Sequence, residues 1–99
     1  MFQVEKRDGA VVDFQLSKIS DAIGKAFEAT EKNYSQDMLE MLALRVTADF
    51  QGKIESGRIQ VEKIQDSVEN VLSQCGYGDV AKAYILYRKQ REKMRRMKS

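Results

Sequence analysis

From Leu16 onwards, the apolar residues of this 99-residue chain recur at steps of three and four, and no proline interrupts them. That periodicity constrains the fold more than any other feature. A 3.6-residue repeat gathers apolar side chains on one face of each helix, and the face must be buried against another element. Leu16, Ile19, Ala22, Ile23, Ala26 and Phe27 form the first such stripe. Asn33 to Ser35 breaks it, and Ser35 is of the type whose hydroxyl caps the next helix. The second helix turns Met38, Leu39, Leu42, Val46 and Phe50 inward. The third is the cleanest, with Val61, Ile64, Val68, Val71, Leu72 and Cys75, and Gly76 stands where a left-handed C-cap residue belongs. A fourth starts near Asp79, turns Val80, Ala83, Tyr84 and Tyr87 inward, and runs on polar and basic through Lys98.

Before Leu16 the period is two. Phe2, Val4 and Lys6 fall on one side and Gln3 and Glu5 on the other. Asp8-Gly9 is a hairpin turn signal, because glycine accepts the positive φ of a tight turn. Val11, Val12 and Phe14 supply the returning strand, giving a hairpin over about residues 2–14. Gly52 to Gly57 is a polar connection, and Arg58-Ile59-Gln60 is available as a third strand, since a two-stranded ribbon alone is marginal. The expected fold is α+β and mostly α, a four-helix bundle covered by a small three-stranded sheet. A chain of this length makes one domain and buries about two-thirds of its unfolded surface, which leaves little room for a deep substrate cavity.

The missing residues narrow the chemistry. Without a histidine, no imidazole acid–base site or imidazole metal ligand can be built. Cys75 is alone, so no intramolecular disulfide or thiolate metal cluster forms, and its place on an apolar stripe reads as packing. No glycine-rich Lys-Ser/Thr phosphate loop supports a kinase or ATPase. The chain is not expected to be an enzyme by itself, to have catalytic residues, or to hold a metal on protein ligands. No apolar run approaches the ~20 residues of a membrane span, and no secretion signal opens the chain, so the expected compartment is the cytoplasm.

Charge is segregated. Arg88 to Lys98 carries seven Lys or Arg against one Glu, a net +6, while the remainder is net −4, which restores the overall +2. A separate cationic group lies at the other end. Lys6 and Arg7 sit on a strand just before a turn, and Lys18 lies in the first turn of the following helix. A hairpin lying over that helix brings the three together beside a helix N-terminus, where free N–H groups and the dipole also favour negative charge. Lysine offers point charges and arginine a fork matched to phosphate oxygens, so the constellation suits a polyphosphate. Val4, Val12 and Val61 are placed to sandwich a purine.

Two segments, taken in order, resemble the ATP-cone family. The first is Val4-Glu5-Lys6-Arg7-Asp8-Gly9, then Val12-Asp13-Phe14 and Ser17-Lys18-Ile19. The second is Ile59-Gln60-Val61-Glu62-Lys63-Ile64-Gln65-Asp66, then Gly76-Tyr77 and Ala81-Lys82-Ala83-Tyr84-Ile85-Leu86-Tyr87-Arg88. The resemblance runs from Phe2 to about Arg91. It implies an allosteric regulatory domain of a ribonucleotide reductase, binding ATP or dATP, with Mg²⁺, without reacting with them. It further implies that the ratio of the two is reported to a catalytic domain, often through a change in homo-oligomeric assembly. By matching position, it assigns nucleotide contacts to Val4, Lys6, Arg7, Val12, Asp13, Phe14, Gln15, Lys18, Val61, Gln65 and Arg91. Some members carry an acidic or polar residue at the position of Val12 and a histidine at that of Gln65.

The resemblance divides the chain into a nucleotide-binding domain over residues 1–91 and a basic helix extension over 92–99, directed towards a catalytic domain. The extension is similar to the helix that leaves the cone in anaerobic (glycyl-radical) ribonucleoside-triphosphate reductases. The same family occurs in a transcriptional repressor of reductase genes, where the cone follows a zinc ribbon with four cysteines; with only Met1 to Gln3 before Val4 here, that reading is kept as the alternative. Two further alternatives come from other classes. A nucleic-acid module would use the basic tail, which has no interleaved aromatic beyond Tyr87. A plain helical interaction domain would bind no nucleotide at all.

Overall fold

The computed structural model describes the backbone of residues 2–98 and the side chains of residues 2–94. Three short strands, β1 (Gln3–Glu5), β2 (Val11–Asp13) and β3 (Arg58–Gln60), accompany four helices, α1 (Leu16–Ala29), α2 (Gln36–Phe50), α3 (Val61–Gln74) and α4 (Gly78–Lys98). The architecture is the expected α+β one. α1 packs on α2 and α4, and α3 packs on the same two, which closes the bundle into a ring.

The sheet order is β2-β1-β3. β2 runs antiparallel to β1, with Val4 opposite Val12, and β3 runs parallel to β1, with Val4 opposite Ile59. Val4 and Ile59 are the inward members and are buried. The hairpin loop is wider than a two-residue turn. The Gly9 N–H donates to the Lys6 carbonyl at 3.0 Å and the Lys6 N–H to the Ala10 carbonyl at 2.8 Å, with Gly9 at φ +89°. This is a three-residue loop, Arg7-Asp8-Gly9, closed by a left-handed glycine. The loop therefore carries Arg7 at its corner.

Three phenylalanines fix the sheet to the bundle. Phe2 and Phe14 stack at 4.4 Å between centroids, and both meet Phe50, at the end of α2, edge-on at 5.7 and 5.8 Å. At the opposite end of α1, Phe27 packs on Tyr34 and Tyr77. Between these clusters lie Ile23, Leu42, Val46, Val68, Leu72 and Val80, all fully buried. On α4 the buried residues are Val80, Ala81 and Tyr84, with the expected Ala83 and Tyr87 only partly covered. Cys75 is likewise partly covered, and its sulfur accepts from Arg45 at 3.3 Å.

The helix ends follow the sequence signals. The Ser35 hydroxyl accepts from the Met38 N–H at 3.2 Å. Gly76 has φ +85°, which ends α3 in the left-handed conformation. α4 starts at Gly78, one residue before Asp79, whose carboxylate accepts from the Val80 N–H at 3.0 Å and pairs with Lys32 at 3.0 Å. The helix continues to Lys98, and no helix among the described residues is long and apolar enough to cross a membrane.

The Lys32 partner and the Val80 N–H hold the Asp79 carboxyl below its ordinary value of 3.8, and desolvation opposes them only in part. Because the folded-state value lies below the unfolded one, the contribution is whole above pH of about 4 and fades as pH falls through the folded value. Asp79→Asn keeps the capping geometry and removes the charge. Its stability deficit in urea is therefore expected at pH 7 and should shrink progressively as the pH falls below the ordinary carboxylate value and through the folded one. A deficit unchanged across that range would show that the charge is irrelevant.

Candidate functional site

A cleft of about 390 Å³ opens beneath the hairpin, between α1, α3 and α4. All eleven residues expected to contact nucleotide line it. Val4, Lys6, Arg7, Val12, Asp13 and Phe14 come from the hairpin; Gln15 and Lys18 from the start of α1; Val61 and Gln65 from α3; and Arg91 from α4. Strands and helices so far apart in sequence converge because β1 pairs with both β2 and β3, and each outer strand leads almost directly into a helix. Two residues separate the end of β2 from the start of α1, and α3 starts on the residue after β3.

Those two junctions give helix N-termini without a side-chain cap, at Gln15 and Gln60. Gln15 caps α1 and Gln60 caps α3, and neither side chain bonds its helix, whereas Ser35 does cap α2, on which no cleft residue lies. Open N-termini are anion sites, because their N–H groups have no intrahelical partner.

The cations of the cleft differ in what already holds them. Arg88 spans to α3, with Nη1 at 2.6 Å from Glu69 Oε2 and 2.9 Å from Asp66 Oδ1. Burial works against its charge, and the bonds from these two carboxylates more than offset that. Arg7 reaches Glu62 at 3.5 Å, Glu92 at 3.3 Å and the Gln65 amide oxygen at 3.5 Å. Lys6 and Lys18 have no carboxylate partner among the described residues. Lys25 and Arg91 lie against the Tyr87 ring, at 5.7 and 6.0 Å from its centroid. Beside them Tyr84 is buried, which raises its phenol far above the usual range and keeps its hydroxyl protonated at any physiological pH.

Lys25, Tyr84, Tyr87, Arg88 and Glu92 were not singled out from sequence as cleft residues. Helical spacing carries a signal for them. Lys25 follows Lys18 by seven residues, two turns along one face. Tyr84, Tyr87, Arg88 and Arg91 recur at the three- and four-residue steps that share a face of α4. Ile19, Ala22, Ile64 and Val68 line the floor, and Asp21 adds a carboxylate.

The fold and cleft together define a small helical domain of the ligand-binding type, with a cationic rim over an apolar floor, in a volume within the range of small-ligand sites. The comparisons with known proteins make the family specific. The ATP cone domain model matches residues 2–93, and the chain belongs to the ATP-cone family. It is 43% identical to the vitamin B12-dependent ribonucleoside-diphosphate reductase of Thermoplasma acidophilum, over 97% of this chain and 13% of that protein. It is 39% identical to the ribonucleoside-diphosphate reductase subunit alpha of Chlamydia trachomatis, over 93% of this chain and 10% of that protein. It is 36% identical to the anaerobic ribonucleoside-triphosphate reductase of Escherichia coli, over 90% of this chain and 12% of that protein. The chain thus spans roughly a tenth of the length of the relatives it matches.

The Arg88 geometry separates a structural cation from the ligand-ready ones. Arg88→Met removes a charge-assisted link between α3 and α4 and strands Glu69, which is only 27% exposed. It should cost about 1–2 kcal/mol of stability, on the scale of hydrogen bonds to charged groups, or about 4–16 °C in Tm. A Tm shift within about 2 °C would contradict the structural role.

Proposed function

We propose that this domain is an allosteric sensor that binds ATP and dATP in the cleft, without hydrolysing them, and controls a ribonucleotide reductase catalytic domain to which it is joined. The observation that carries the reading is the convergence of the eleven family-matched positions on one cleft, with Lys6 and Lys18 free of carboxylate partners among the described residues. The triphosphate would lie against Lys6, Arg7, Lys18 and Arg91. The adenine would lie between Val4, Val12 and Val61, with Gln65 available to hydrogen-bond it or the ribose. Discrimination of ATP from dATP turns regulatory only when the two stabilise different arrangements of the parent, since equal affinity for both arrangements shifts nothing. A change of homo-oligomeric state is the arrangement the family favours.

Mg²⁺ fits this site as a companion of the phosphates. Among the described residues no group of three or more His, Cys, Asp or Glu side chains could hold a metal ion. Magnesium is commonly bound by substrate phosphates, water and one or two carboxylates, and Asp13 and Asp21 line the cleft. Its role would be to offset phosphate charge.

The finer assignment of the parent, to an anaerobic ribonucleoside-triphosphate reductase, rests on the basic character of Arg88 to Lys98; a cytoplasmic setting is proposed with it. The sequence of the full-length protein tests it: a glycyl-radical loop in the catalytic domain supports the assignment, and a cobalamin site overturns it. In this reading residues 92–99 carry the signal out of the domain.

Calorimetric titration with ATP, dATP and GTP tests the function. The adenine nucleotides should bind and GTP should bind markedly less well, with no phosphate released over hours. Lys6→Ala or Lys18→Ala should weaken ATP binding by about 1–3 kcal/mol, the scale of a charge-assisted contact. Folding stability should stay within about 0.5 kcal/mol, as for surface substitutions away from the core, Lys18 being exposed and Lys6 half-buried. A sharp fall in Tm with affinity intact would make these lysines structural and remove the site.

A further inference from the structure

Arg7 is the one cation among the family-matched positions that is held by carboxylates among the described residues. Its partners come from two different helices. Glu62 lies in the first turn of α3, and Glu92 lies on α4 one residue beyond Arg91, in the stretch that runs on to Lys98. The guanidinium, at the corner of the hairpin loop, thus ties the tip of the sheet to the base of the outgoing helix.

The clasp is loose. Its ion-pair distances of 3.5 and 3.3 Å are longer than the 2.6 and 2.9 Å of the Arg88 pair. The side chains of Arg7, Glu62 and Glu92 are 30%, 35% and 32% exposed, so solvent screens them. A polyphosphate in the cleft presents more charge than two carboxylates, and oxygens matched to the same fork. Glu92 also lines the cleft itself, so it holds the arginine at the edge of the space that a phosphate would enter.

We propose that Arg7 is traded between two sets of anions: Glu62 and Glu92 hold it in the empty domain, and effector phosphates draw it away. Glu92 is then a positioning residue that sets effector affinity and links occupancy of the cleft to the helix leaving the domain. This inference rests on the nucleotide reading above. In the absence of ligand, the clasp holds hairpin, α3 and α4 together; with ligand, the outgoing helix loses its tie to the hairpin. The partner being displaced is an internal one, so the device needs no second protein.

The test is a double-mutant cycle on the 99-residue chain, titrated with ATP, inorganic tripolyphosphate and adenosine. Glu92→Gln should tighten ATP and tripolyphosphate at least fivefold and change adenosine less than twofold. In an Arg7→Gln background the same substitution should change ATP affinity less than twofold, because the competition it relieves no longer exists. If Glu92→Gln tightens ATP equally in both backgrounds, Glu92 acts by simple repulsion and the trade is overturned. If it leaves ATP affinity unchanged or weakens it while the wild type binds, the trade is overturned and the nucleotide reading stands. If the wild type binds neither ATP nor tripolyphosphate, the nucleotide reading itself falls, and the trade falls with it. Amide exchange at Arg7 to Gly9 without ligand gives an independent reading of the clasp. Exchange should be faster in the Glu62→Gln, Glu92→Gln double variant than in the wild type, and equal rates would contradict a clasp.

Discussion

Three-residue strands hold almost nothing by themselves, and the sheet here survives because Phe2 and Phe14 stack on each other and lean edge-on against Phe50. Aromatic contacts of this kind contribute about 0.5–1.5 kcal/mol each beyond the area they bury. Val4 and Ile59 add the inward row of the sheet. The cleft exists only as the gap between this pinned sheet and the helices beneath it. Its shape therefore depends on a contact that no ligand touches directly, apart from the face of Phe14 that lines it. Everything proposed for function inherits that dependence, because Lys6 and Arg7 reach the cleft from the tip of a hairpin held by two short strands and by the contacts of Arg7 with Glu62, Glu92 and Gln65.

The electrostatic design divides labour among similar residues. Arg88 is fully engaged by Asp66 and Glu69 and serves the α3–α4 contact. Lys6 and Lys18 have no such engagement among the described residues, and α1 and α3 begin beside the cleft without a side-chain cap. Arg7 is intermediate, held but weakly. A site arranged in this way has ready charge for an anion and one tie that the anion can break. That gives a binding event a mechanical consequence without requiring a large rearrangement of the core.

Much of this was legible in the sequence, and the reason is periodicity. The 3.6 repeat from Leu16, the caps at Ser35 and Gly76, and the two-residue alternation around Asp8-Gly9 are local signals, each set by backbone geometry within a few residues. Family matching added the cleft positions one by one, and all of them line the same cavity. What stayed hidden was non-local. Arg58-Ile59-Gln60 carries nothing in its three residues that says it will run parallel to β1 rather than antiparallel to β2. The Arg7 partners Glu62 and Glu92 lie 55 and 85 positions away and meet it only after the hairpin has settled between α3 and α4. Tyr87 reads as core from its spacing, yet it is only partly covered and meets both Lys25 and Arg91 at the cleft wall. The hairpin loop was wider than Asp8-Gly9 alone implies, and that extra residue is what aims Arg7.

The central claim is that effector sits beneath the hairpin and touches the sheet, α1, α3 and α4 at once. Amide chemical-shift mapping of the labelled chain, titrated with ATP, addresses it directly. The account predicts shifts concentrated at Val4 to Gly9, Val12 to Lys18, Val61 to Gln65 and around Arg91, with little change along Met38 to Val46 and around the Phe27–Tyr77 cluster. Shifts centred on α2, or spread evenly along the basic tail and absent from the hairpin, would contradict it.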